Sequence, residues 1–174
     1  MALLKEAIPR LARLAVLGIP ESPNISCLRD VTPAALTMGV QVYPVEVRDV
    51  HAFEPAFATI AQAPPDALLI CWSPLTANHA RLIADFAVWH RLPTLAATSQ
   101  YVQAGTLLSY GTNMPDHMRR AAGYVGKMLK GTLPADLPVE RPIQFELVLN
   151  LQTAQALGVT LPPMLLFQAT EVIR

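Results

Sequence analysis

Charge is scarce in this sequence of 174 residues: Asp, Glu, Lys and Arg make up 15%, thirteen basic against thirteen acidic, while hydrophobic residues make up 52%. No run of Lys or Arg and no basic stripe with interleaved aromatics occurs, so the electrostatic footprint of a nucleic-acid binder is missing and no nucleic-acid partner is expected. Only two cysteines are present, Cys27 and Cys71, without the C-x-x-C spacing of a metal or redox site. Cys71 closes a hydrophobic run, where a buried thiol is the ordinary reading, and neither cysteine is assigned chemistry. No stretch approaches the roughly 18 uninterrupted apolar residues of a membrane span. The N-terminal residues, with Glu6, Pro9 and Pro20, show no basic region leading into an apolar core and a small-residue cleavage site, so no export signal is expected in them.

Enzyme motifs are missing as well. There is no G-x-G-x-x-G, no Walker loop, no G-x-S-x-G and no H-E-x-x-H. His51, His79, His90 and His117 fall in or beside separate helical segments, which disfavours a metal cluster. A Cys71–His79 dyad would need a strand-end thiol with a lowered pKa, and it is the weakest of the readings. No catalytic residue, metal or cofactor is expected, and the chain reads as a non-enzyme.

What is present is an alternation of short apolar runs with helical patterns. Leu14–Leu17, Val40–Val47, Ala67–Trp72, Pro93–Ala97 and Thr106–Tyr110 read as strands, and Phe145–Asn150 as a sixth. Phe53, Phe57, Ile60 and Ala61 form one apolar helical face, and Leu82, Ile83, Phe86 and Ala87 another. Pro33 interrupts the helix expected after the first strand, so Thr32 is read as its cap and Pro33 as its first residue, with an end at Gly39. Met118, Ala121, Ala122, Val125, Met128 and Leu129 mark a long amphipathic helix over about 115–131. Two short helices are expected around Thr153–Leu157 and Pro163–Val172. The pattern predicts a single α/β domain over 1–174, a Rossmann-like lobe with a largely parallel sheet flanked by helices.

In an open parallel sheet, ligands sit outside the carboxyl ends of the strands, where loops diverge and helix N-termini present free N–H groups. That selects Gly18–Asn24, Trp72–Asn78, Thr98–Tyr101 and Tyr110–Asn113. Trp72 and Tyr101 have the ring faces to stack on an aromatic or apolar ligand, with Tyr110 beside them. Ser73, Thr76, Thr98, Ser99 and Asn113 have the polar groups to bind its ends. The competing assignment makes Trp72 and Tyr110 packing residues and the hydroxyls helix caps.

The stretch from Asp136 to Gly158, followed by Thr160-Leu-Pro-Pro163 and Thr170-Glu-Val-Ile173, resembles the C-terminal signature of a family of ABC-transporter solute-binding proteins. Leu4–Arg13, His90-Arg-Leu-Pro93, Leu108–Asn113, Arg119–Ala122, Tyr124-Val125 and Lys127–Gly131 extend the likeness along nearly the whole chain. The resemblance implies the second lobe of a type I periplasmic-binding fold, a non-catalytic solute-binding role and a small-molecule ligand such as an amino acid. It further implies an ABC permease as partner and an extracytoplasmic location, or a cytoplasmic one if these residues are the full gene product. In that plan Leu4–Arg13 leads out of a first lobe with no counterpart here, and the 115–131 helix would pack on that lobe. Without it, the apolar stripe of the helix predicts a homodimer, and an oligomerising module that has lost its ligand is the alternative. The loops Gly18–Pro23 and Cys71–Pro74 depart from the family's usual pattern, so the resemblance carries the fold further than the ligand.

Overall fold

The computed structural model describes residues 1–19, 27–142 and 144–174. Seven strands form one sheet in the order β2-β1-β3-β4-β5-β6-β7. They are β1 (Arg13–Gly18), β2 (Gln41–Glu46), β3 (Ala67–Ile70), β4 (Thr94–Ala96), β5 (Leu108–Thr112), β6 (Phe145–Asn150) and β7 (Glu171–Ile173). Every neighbouring pair is parallel except β5 and β6, which run antiparallel. The largely parallel sheet expected from the alternating patterns is present, and Phe145–Asn150 returns to it. Pro44, which cannot donate to a ladder, sits in β2 at the sheet edge, where no second neighbour needs its N–H.

The central strands are buried on both faces, and their alternate residues feed two cores. In β1, Leu14 and Val16 join Leu69, Leu95, Leu108 and Leu149 on one face, beneath the helices α1 (Ala2–Ala7) and α2 (Cys27–Thr37). Ala15 and Leu17 face the other way, onto α3 (Phe53–Gln62), which contributes Phe53 and Ile60. The helix α4 (Pro74–Asn78) leads into α5 (Ala80–Trp89), and after β4 comes α6 (Ser99–Gln103); α5 supplies Ile83 and α6 supplies Tyr101 to this second core. The helix α7 (Met114–Leu129) carries no buried residue. Helices α8 (Leu151–Leu157) and α9 (Pro163–Gln168) close the first core through Ala154, Leu157 and Leu165. Among the described residues no helix is long and apolar enough to cross a membrane.

Three expectations are corrected. Helix α2 begins at Cys27, so Thr32 and Pro33 lie in its interior, and the Thr32 hydroxyl donates to the Leu28 carbonyl at 2.7 Å instead of capping. The segment read as one helix over Pro163–Val172 stops at Gln168, and Glu171–Ile173 pairs with β6 as a strand. Cys27 and Cys71 are joined in a disulfide across a sequence separation of 44, with Cα atoms 5.9 Å apart, where a free buried thiol was expected. That spacing suits a bond and could not be read from sequence, because only the fold brings the start of α2 to the end of β3.

Candidate functional site: a groove at the carboxyl ends of the strands

The sheet order reverses between β1 and β3, so the helices that follow these strands depart to opposite faces and leave a crevice at their carboxyl ends. A groove of about 620 Å³ opens beside this point. Leu69, Leu95 and Ala96 contribute to its floor, and Val31 of α2 and Leu3 of α1 also line it. Trp72 borders it just past the end of β3, and Tyr110 borders it from within β5, which runs on to Thr112 where a loop from Tyr110 was expected. Trp72 is 46% exposed and Tyr110 is 47% exposed, so part of each side chain is open to solvent. Tyr110 is held by stacking on Phe145, with ring centroids 5.7 Å apart. The Cys27–Cys71 disulfide joins the two sides, since both of its cysteines line the groove. Gly18 sits against it: a Cβ there would lie 3.0 Å from the Cys71 Cβ.

The other candidate residues have structural duties. Ser73 caps α4: its Oγ accepts from the Thr76 N–H at 3.1 Å, and the Thr76 Oγ1 accepts from the Ser73 N–H at 3.0 Å, a reciprocal capping box. The Thr76 Oγ1 also bonds the Tyr101 hydroxyl at 2.7 Å and donates to the Cys71 carbonyl at 2.9 Å. Ser73, Thr76 and Tyr101 are all 0% exposed, so they brace the loop after β3 from inside and have no surface for a ligand. Burial pushes the Tyr101 phenol above its ordinary range, against the downward pull of its bonds to Thr76 and Ser73. It therefore stays neutral.

Thr98 precedes α6 with its hydroxyl buried and without a partner among the described residues, and Ser99 is the first residue of that helix; neither lines the groove. Asn113 caps α7 through its Oδ1, which accepts from the Asp116 N–H at 2.8 Å, and its Nδ2 donates to Glu146 at 2.8 Å. Of the loop Gly18–Asn24 only Gly18 and Ile19 lie within the described residues. The Cys71–His79 dyad does not exist: Cys71 is oxidised and the His79 Nδ1 bonds the Leu75 carbonyl at 2.8 Å. The sequence pattern did not reveal the contribution of α1 and α2 to the groove, because only the fold brings the start of α2 beside the end of β3.

A doubly wound sheet with a one-sided apolar groove at its strand ends defines the class: a periplasmic-binding-protein-like α/β lobe. The chain belongs to the family described as ABC transporter substrate binding protein, whose model matches residues 1–173. Among solved structures, it superposes on a conserved domain protein from Vibrio cholerae with a TM-score of 0.89 and 24% identity, covering 98% of this chain and 58% of that one. An ABC domain from Streptococcus pneumonia in complex with L-Trp gives a TM-score of 0.87 and 23% identity, covering 99% and 60%. A ligand-free, open substrate binding protein with adhesive properties from Clostridium difficile gives a TM-score of 0.74 and 21% identity, covering 99% and 58%. The chain thus spans less than two thirds of the length of these relatives. No curated protein matches it.

Proposed function

We propose that this chain supplies one wall of the ligand cleft of an ABC-type uptake system and binds a small molecule with an aromatic or apolar body, an amino acid such as tryptophan. The observation that carries the reading is the groove with half-exposed Trp72 and Tyr110 above a leucine floor. Two aromatic faces over an apolar base suit a planar ligand, whose polar ends then reach backbone groups at the strand ends. The family membership and the fold shared with a protein solved with L-Trp support it. The role is non-catalytic, with an ABC permease as the partner that receives the solute. A disulfide beside the groove suits an oxidising, extracytoplasmic compartment.

One open wall leaves much of the association entropy uncompensated, so affinity should be weak in this chain alone. Titration calorimetry with L-tryptophan, then with the other aromatic and branched amino acids, tests the reading. Trp72→Ala should weaken binding by about 3- to 10-fold, the size of one lost aromatic contact. Equal affinity in the variant, or no response to any amino acid, overturns it.

A second reading, an oligomerising module, rests on α7, which is amphipathic and carries no fully buried residue. A homodimer through this helix is compatible with ligand binding at the groove.

A further inference from the structure

We propose that the Cys27–Cys71 disulfide is a redox-sensitive latch that positions the first turns of α2 as the second side of the groove. The bond joins the start of α2 to the residue before Trp72, so it is the covalent link between the two sides. Among the described residues, the apolar packing at this end of the helix comes from Cys27, Leu28 and Val31, each only partly buried. The buried residue of α2 is Ala35, near its far end, while Arg29 and Asp30 at its start are exposed. Pro33 removes the N–H that would bond the Arg29 carbonyl a turn back, which weakens the connection between the two halves of the helix. Gly18 leaves room for the bond, because any larger residue would press on Cys71.

A dithiol reductant supplies the two electrons and two protons that convert the bridge into the Cys27 and Cys71 thiols, and closes into its own disulfide. The released turns of α2 then keep the partly buried side chains of Leu28 and Val31 as their apolar anchors among the described residues. The groove loses a fixed far side while the rest of the sheet and its helices keep their packing.

The inference rests on the groove being the ligand wall, but its test needs no ligand. Amide hydrogen exchange is measured on the oxidised protein, on the protein reduced with dithiothreitol and on Cys27→Ser/Cys71→Ser. Val31, Thr32 and Ala34 carry the first α2 amides beyond the unpaired opening turn. They should exchange at least tenfold faster in both reduced forms, with α5 unchanged. Unchanged exchange at Val31–Ala34 overturns the latch. So does an equal rise in α5, which would make the bond a staple of the whole domain, and so do two titratable thiols in protein never exposed to reductant. An absence of any calorimetric response to L-tryptophan in both redox forms would sink the ligand reading and leave the latch to be decided by exchange.

Discussion

At Gly111 a single methyl group would do great damage. A Cβ built there lies 1.8 Å from the Ala97 carbonyl oxygen, far inside van der Waals contact with rigid backbone. The close approach packs β5 against the residue that follows β4, beside Tyr110 and Ala97, which both line the groove. Gly111→Ala should cost about 1–3 kcal/mol, as overpacking of a tight site does. It would be read as a lower urea midpoint at constant slope; an unchanged midpoint would show that the turn yields freely. Tyr101 makes a second test. Tyr101→Phe removes its bond to Thr76 and should cost about 1 kcal/mol at neutral pH. The folded state holds the neutral phenol at a pKa raised above 10.0, so its contribution is full below that value and is lost as pH rises through the raised one. The gap between wild type and Tyr101→Phe, followed by denaturation at stepped pH, should therefore narrow in alkali.

Among the elements, those that bury both faces were legible from sequence. Leu14–Leu17 and Ala67–Ile70 are apolar at every position because two helical layers cover them, and a run of that kind has few other uses. β7 was not legible: three residues acquire strand geometry from pairing with β6, a partner some 20 positions away. The groove was half legible. Trp72 follows the end of β3 as the strand-end rule expects, whereas Tyr110 lies inside β5 and Ser73, Thr76 and Tyr101 turn inward, and no pattern of polar residues separates a cap from a ligand contact. α2 defied its proline because the disulfide and Ala35 fix its two ends. Pro33→Ala should then relieve the misfit. It restores one helical N–H and should raise stability by about 1 kcal/mol, up to the roughly 3 kcal/mol that separates Pro from Ala in a helix interior. Chemical denaturation measures it, and a loss of stability would mean that the proline's stiffening of the unfolded chain is the larger effect.

For the whole molecule the unsolved surface is α7. Its residues Met118, Val125 and Leu129 are 63%, 50% and 83% exposed, and they share the helical stripe that includes Ala121 and Ala122. The helix is held instead by its ends and its polar side: Asn113 caps it, Arg120 bridges Asp116 and Glu140, and the Tyr124 hydroxyl donates to the Pro138 carbonyl at 2.6 Å. These contacts orient the stripe outward. Apolar surface left in water forgoes about 25 cal/mol per Å², and a continuous patch of this kind marks an interface. The solved relatives run well beyond the length matched here, so in a protein of their size further chain would be one cover for the stripe. For the 174-residue chain by itself the available cover is a second copy, with two Met/Ala-rich stripes packed about a twofold axis. Sedimentation at tens of micromolar should then show a dimer. Val125→Glu would place a carboxylate in the middle of each stripe, where burial without a partner is prohibitive, and should shift the chain to a monomer with its groove intact. A wild-type monomer at that concentration would refute the pairing and leave the stripe to be covered by another chain segment.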